Sequence, residues 1–332
     1  MKKYLGFILI IFLFLFPCLI PVHADSEFDL PLSGTGGYIA ADIQGIKAGT
    51  PCTVLGENGN DLIVKVDEKE FHVSNSCVLV NLPDLMPGIV YRNSNSQAAL
   101  YMSSGYELEG ITGEKLYQAR FYNERLERTE YAMPVMYGMA KKIAAAQRAA
   151  MKDGYSLVIY ETYRPFETQM KVRNALSDAM DLYPEVNAGI NDGVWNSGWF
   201  IAQSLSNHQR GCAMDVSLGK VLKSERVLLN GYKYTKVHSY RLCDMPTEMH
   251  ELSAAACTFL YGADSRSKTA WKNVPLSSSF TEDAKRLQKY CTGADLTPLS
   301  SEWWHFNDLD AQNTSVCMGR FFLEAPESMG WK

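Results

Sequence analysis

The side chains best able to do chemistry fall in two short segments. Ser206-Asn207-His208-Gln209-Arg210-Gly211-Cys212-Ala213-Met214-Asp215 sets a carboxylate seven residues after a histidine, and Glu302-Trp303-Trp304-His305 sets one three residues before another. Imidazole nitrogen and carboxylate oxygen are good zinc ligands, and a catalytic zinc takes three protein ligands and keeps a fourth position for water. His208, Asp215 and His305 supply that number for one Zn2+ per chain. Glu302 is then the spare carboxylate, placed to take a proton from the metal-bound water, whose pKa zinc lowers to about 7. Gly211 and Ala213 are small, as needed where backbone passes close to a metal or a neighbouring strand. Cys212 could also coordinate, but a fourth protein ligand would close the site to water, so it reads as a buried thiol. His208 with Asp215 is weak taken alone, because a surface histidine with an aspartate in a local turn looks the same.

Together the segments are specific. Ser206-x-His208-x-x-Gly211-x-Ala213-x-Asp215 followed by Glu302-x-Trp304-His305 resembles the D-alanyl-D-alanine metallopeptidases, which include VanX-type dipeptidases and VanY-type carboxypeptidases. The resemblance spans roughly residues 85–322. The doubled tryptophan followed by Phe306 looks most like the dipeptidase branch. The resemblance implies zinc on His208, Asp215 and His305, with Glu302 as general base and acid. Tyr163-Arg164-Pro165 matches a third family element, which implies that Arg164 stabilises the tetrahedral oxyanion; a fixed guanidinium lowers such a barrier electrostatically. Ser206, Tyr163 and Trp304 are the implied substrate contacts, and the other tryptophans read as core and cleft wall.

One segment departs from the family. Met245-Pro246-Thr247-Glu248-Met249-His250 aligns with a stretch that ends in an aspartate, which helps to grip a free substrate amine in strict dipeptidases. Here His250 stands there, and a neutral imidazole is a poor counter-ion for an ammonium. Asp244 and Glu251 are nearby carboxylates that could substitute, and His250 reads equally well as an ordinary helix residue. The leading reading is a secreted D-Ala-D-Ala dipeptidase-like enzyme of cell-wall peptide metabolism. The alternative is a carboxypeptidase trimming peptidoglycan stem peptides. A non-catalytic zinc-stabilised wall-binding module, or a zinc hydrolase of another wall bond, ranks below both.

These residues need elements to hold them. The chain has 332 residues, 46% apolar and 21% charged, ordinary for a globular protein. A formal net charge of −5 gives no basic excess to favour nucleic acid. Lys2 and Lys3, the apolar run from Leu5 to Ile20 and Val22-His23-Ala24 read as a signal peptide, residues 1–24, cleaved before Asp25; an uncleaved anchor is the competing reading. Either places the protein outside the membrane, at the cell wall. Residues 25–82 read as a small all-β, SH3-like domain, because short strands alternate with turns such as Glu57-Asn58-Gly59-Asn60; it would attach to cell wall. Residues 83–332 read as the zinc peptidase domain, α+β, which the resemblance makes hedgehog/DD-peptidase-like. Helices are expected over Glu130–Lys152, from Pro165 to about Ala179, and at 247–260 and 281–291. Strands are expected over Tyr155–Tyr160 and Trp303–Phe306. Seven cysteines remain after export, an odd number; Cys52–Cys77 and Cys257–Cys291 are the pairings weighed against seven reduced, buried thiols.

Overall fold

The computed structural model describes residues 27–92, 100–101, 106–107 and 120–328. The expected leader, residues 1–24, lies outside them. No helix of the described residues is long and apolar enough to cross a membrane.

Five short strands come first: β1 (Thr35–Ile39), β2 (Pro51–Asn58), β3 (Asp61–Val66), β4 (Lys69–Ser74) and β5 (Val78–Asn81), then a single helical turn, α1 (Leu82–Leu85). The β2–β3 turn is built on Gly59 at φ 62°, as the Asn-Gly pattern predicts. Further on come β6 (Val90–Tyr91), the small ladder β7 (Leu100–Tyr101) with β8 (Tyr106–Glu107), the hairpin β9 (Arg120–Asn123) with β10 (Arg128–Tyr131), and β11 (Pro134–Met136). Strand β11 returns to the first sheet, pairing antiparallel with β5, so its order is β11-β5-β1-β2-β3-β4. The helix expected from Glu130 therefore starts at Tyr137, as α2 (Tyr137–Lys152). Pro134 explains the difference: it has no N–H and drives Met133 towards an extended conformation.

The second half supplies β12 (Tyr155–Glu161), α3 (Phe166–Leu182), α4 (Pro184–Ile190), α5 (Ser197–Phe200), β13 (Ala213–Leu229), β14 (Tyr232–Leu242), α6 (Glu282–Gly293), β15 (Thr297–Pro298), β16 (His305–Asn307) and α7 (Leu309–Thr314). The second sheet runs β15-β16-β13-β12-β6, with β14 paired to the outer half of β13. Among the described residues of this sheet only the β12–β6 pair is parallel. Sheets and helices are mixed without βαβ alternation, compatible with an α+β fold. The expected helix at 247–260 is absent apart from one 3-10 turn, Ala254–Ala256; His250 has φ 64°, which ends any helix there.

One hydrophobic core joins both sheets, with Val54 and Leu79 of the first sharing it with Ile143 of α2 and Leu157 and Phe306 of the second. A separate small core holds α3 to α5 together, through Val172, Leu176, Val186, Ile190 and Phe200. All seven described cysteines are free thiols; neither of the two weighed pairs is bridged. Burial pushes the Cys52 thiol up to about 12, which makes it inert near neutral pH.

Candidate metal centre

Strand register assembles the heart of the site. Asp215 on β13 lies opposite Glu161 on β12 and, on its other side, opposite His305 on β16. Directly opposed residues share a face of the sheet, so the three side chains form a row. His208 arrives from the loop before β13. Gly211 turns that loop at φ 69°, and its carbonyl accepts from Met136 N–H of β11 at 2.9 Å. A Cβ at Gly211 would lie 2.4 Å from Leu79 Cδ2, so a larger residue would have to push the buried Leu79 side chain aside. Arg164 leaves the end of β12 three residues after Glu161, and Pro165 then opens α3.

Three donor atoms converge. His208 Nε2 and His305 Nδ1 are 3.2 Å apart, His208 Nε2 lies 3.3 Å from Asp215 Oδ1, and His305 Nδ1 lies 3.1 Å from the same oxygen. Tetrahedral zinc with bonds of about 2.0–2.1 Å sets its ligands roughly 3.3–3.4 Å apart, close to this triangle. The outward nitrogens fix the protons. His208 Nδ1 lies 2.6 Å from the Thr162 carbonyl, which can only accept, so the proton is on Nδ1. His305 Nε2 lies 2.9 Å from Asn307 Oδ1, an oxygen that also accepts from Asn207 Nδ2 at 2.8 Å. Both rings thus turn lone pairs towards one carboxylate oxygen, with no proton between them. Such partners orient metal-bound histidines and set their tautomers. The donor set fits a zinc ion.

The second oxygen of Asp215 is held from the other side. His250 Nε2–H donates to Oδ2 at 2.9 Å, and Arg164 reaches it at 3.4 Å. Arg164 also forms a close, multiple pair with both Glu161 oxygens. Glu161, Asp215 and His250 form a second cluster of metal-type ligands, but the Arg164 guanidinium already pairs with both of its carboxylates. Burial opposes charge on Asp215; in the metal-free site, where an imidazole can carry a proton on its inward nitrogen, the charge on His208 and the hydrogen bonds from His208, His250 and His305 outweigh burial and hold the carboxyl well below the usual range. Burial likewise opposes charge on Arg164, and Glu161 and Asp215 overcome it, keeping the guanidinium protonated.

Glu302 stands apart from the triangle, its Oε2 3.5 Å from His305 Nδ1, and lines the cleft. Burial pushes its carboxyl up to about 8, with His305 and Arg164 opposing the push and Asp215 adding to it. The cleft encloses about 500 Å3 between the sheet end and the α3–α5 lobe; Gln169, Val172, Trp199 and Ile201 form its far wall. Trp304 forms part of its lining, packed edge-on against His250 with ring centroids 5.7 Å apart.

His208, Asp215, His305, Glu302 and Arg164 therefore meet at one end of this cleft. Ser206 lines it too, but its hydroxyl faces Gln169 Oε1 at 2.8 Å and Gln209 Oε1 at 2.7 Å, a network that ties α3 to the His208 loop. Tyr163 is outside the cleft lining; its hydroxyl donates to the Phe321 carbonyl at 2.7 Å, and its ring stacks on Phe321. Cys212 is buried behind the loop with Sγ 3.3 Å from the Arg210 carbonyl, and it is not in the ligand triangle. His238 pairs with Glu225, far along β13, and His72 is exposed on β4.

Asn307, Glu161 and the Thr162 carbonyl carry site geometry that the two motifs do not announce. Asn307 had a signal: it lies two residues after His305, on the same face of a strand.

The chain is similar to a known peptidase. It is 26% identical to the D-alanyl-D-alanine dipeptidase of Escherichia coli (strain K12) over 198 residues, 60% of this chain and 72% of that protein. No family model matches the chain.

Proposed function

We propose that this protein is an exported zinc peptidase that hydrolyses the D-alanyl-D-alanine bond in cell-wall peptides, a D-Ala-D-Ala dipeptidase-like enzyme. The observation that carries the reading is the meeting of two imidazole lone pairs and a carboxylate oxygen at one end of a cleft, with Glu302 free of the triangle. The similarity to a D-alanyl-D-alanine dipeptidase supports the choice of bond.

His208, Asp215 and His305 would hold the zinc, which when bound acts as a Lewis acid on water and on the scissile carbonyl. Glu302 takes the proton from the attacking water and returns it to the amine nitrogen as the C–N bond breaks. A carboxyl pushed up towards neutrality can do both. Arg164, fixed by Glu161, supplies positive charge where the carbonyl oxygen becomes an oxyanion. Water adds to the carbonyl carbon, and the products are a carboxylic acid and a free D-alanine.

A second reading is a D,D-carboxypeptidase acting on stem peptides. Among the described residues lining the cleft, the carboxylates are Asp215 and Glu302. Both already have work, so neither remains for the ammonium of a free dipeptide, and His250 faces Asp215 instead. The test follows D-alanine release from free D-Ala-D-Ala and from an N-acylated peptide ending in D-Ala-D-Ala, with zinc and with a chelator. Cleavage of the free dipeptide alone supports the dipeptidase; cleavage of the blocked peptide supports the carboxypeptidase. Glu302→Gln lowers kcat by about 10²–10⁴ with zinc still bound. Release from neither substrate by the zinc-loaded protein refutes both readings.

A further inference from the structure

The outer part of the β13–β14 hairpin takes no part in the metal centre, and its charge is unlike that of the rest of the chain. Residues 220–242 carry Lys220, Lys223, Arg226, Lys233, Lys236 and Arg241 against a single carboxylate, Glu225, in a chain of formal net charge −5. Glu225 is already taken by His238 at 2.6 Å. Lys236 stands opposite Glu225 in the ladder, but among the described residues none of the six cations has a carboxylate within ion-pair distance, although the hairpin lies in an acid-rich protein. Lys220 and Arg241 stand directly opposite each other across the ladder. Like charges so placed destabilise a hairpin, and an anionic partner would remove that cost.

The ribbon has two unlike faces. Val227 opposite Tyr234 and Leu229 opposite Tyr232 form the inward one, Tyr234 being buried. The ribbon is seated closely: a Cβ on Gly88 would lie 2.6 Å from the Thr235 carbonyl. The opposite face presents Arg226, with Leu228 facing Lys233. Leu222 and Leu228 are exposed at 64% and 65%. Arg226 and Lys233 beside the bare Leu228 suit an interface in which headgroup phosphates meet the charges and the leucine enters the acyl boundary. A soluble polyanion would use the cations and leave the leucines in water. Lys220 is five residues from Asp215, about 17 Å of extended strand, so the surface is separate from the cleft.

We propose that the outer β13–β14 ribbon docks the protein on an anionic phospholipid surface. The test uses the chain from Asp25 onward, because residues 1–24 carry an apolar run that would bind lipid by itself. Sedimentation with phosphatidylglycerol-containing vesicles should pull the protein down, and pure phosphatidylcholine vesicles should not. Each basic residue near such a surface contributes roughly fivefold to partitioning. The triple variant Lys223→Glu, Arg226→Glu, Lys233→Glu should therefore lose more than about a hundredfold, with zinc content and D-alanine release unchanged. Leu222→Ser with Leu228→Ser should weaken vesicle binding and leave binding to soluble polyphosphate as it was. Equal binding to neutral vesicles, no loss in the triple variant, or binding to polyphosphate without binding to vesicles would each overturn the proposal.

Discussion

Removing the Asn307 side chain should weaken zinc binding without unfolding the protein. Asn307 Oδ1 receives the His305 Nε2–H at 2.9 Å, and both residues are buried. With that acceptor in place the ring keeps its proton outward and its Nδ1 lone pair inward. In Asn307→Ala the metal-free ring can move its proton to Nδ1, where Asp215 Oδ1 accepts it 3.1 Å away. The zinc-loaded ring has no such escape and must keep a buried N–H without a partner, which costs about 1–3 kcal/mol. The whole cost falls on the loaded state, so zinc affinity should drop roughly 5- to 150-fold, in line with outer partners of metal-bound histidines elsewhere. Asn307→Asp supplies a stronger acceptor, and Asn207 can still donate to it, so that variant should hold zinc at least as tightly as the parent. The assay is competition for zinc against a chromophoric chelator at neutral pH, with thermal unfolding of the metal-free protein as the control for folding. An alanine variant that binds zinc as tightly as the parent, or an aspartate variant as weak as the alanine one, would refute the tautomer argument.

Other consequences can be checked in the same protein. Gly211→Ala forces a left-handed alanine, at about 1–2 kcal/mol, and drives its Cβ into Leu79; the unfolding midpoint should fall, and zinc affinity with it, because His208 rides on that loop. Cys212→Ser should keep zinc and most activity, since the thiol lies outside the ligand triangle; loss of metal in a folded variant would make it a ligand. Asp29 is raised by burial from its ordinary 3.8 to about 6, with the Gly88 N–H and Arg148 opposing. The folded state therefore binds this proton more tightly than the unfolded one, and the group costs stability as pH rises from about 4 to 6. Asp29→Asn should stabilise the protein by up to about 3 kcal/mol above pH 6 and by little at pH 4, measured by denaturant unfolding at the two pH values.

The candidate donor set was legible because metal chemistry restricts residue type so tightly. Few side chains can serve zinc, and His208, Asp215, Glu302 and His305 stand in two compact segments. The turns and strands of residues 51–73 were legible too, since alternation and Asn-Gly are local signals. The start of α2 was misread because residues 128–136 are fixed by partners distant in sequence, the β9–β10 ladder and the β5 edge. The 247–260 segment was misread as a helix because nothing local announces the left-handed backbone at His250.

What the sequence determined by itself was the chemical inventory: which residues could bind a metal, accept a proton or carry fixed positive charge. The tertiary structure decided how each is used. Register across three strands put Glu161, Asp215 and His305 in one row, although Glu161 and His305 are far apart in the chain. It gave Asp215 two differently occupied oxygens, assigned the histidine protons through Thr162 and Asn307, and carried Tyr163 to the C-terminal tail while Arg164, its neighbour, faces the cleft. Residue type limits what a side chain can do; only pairing between distant segments sets which atoms it meets, and pKa, tautomer and ligand geometry all depend on those atoms.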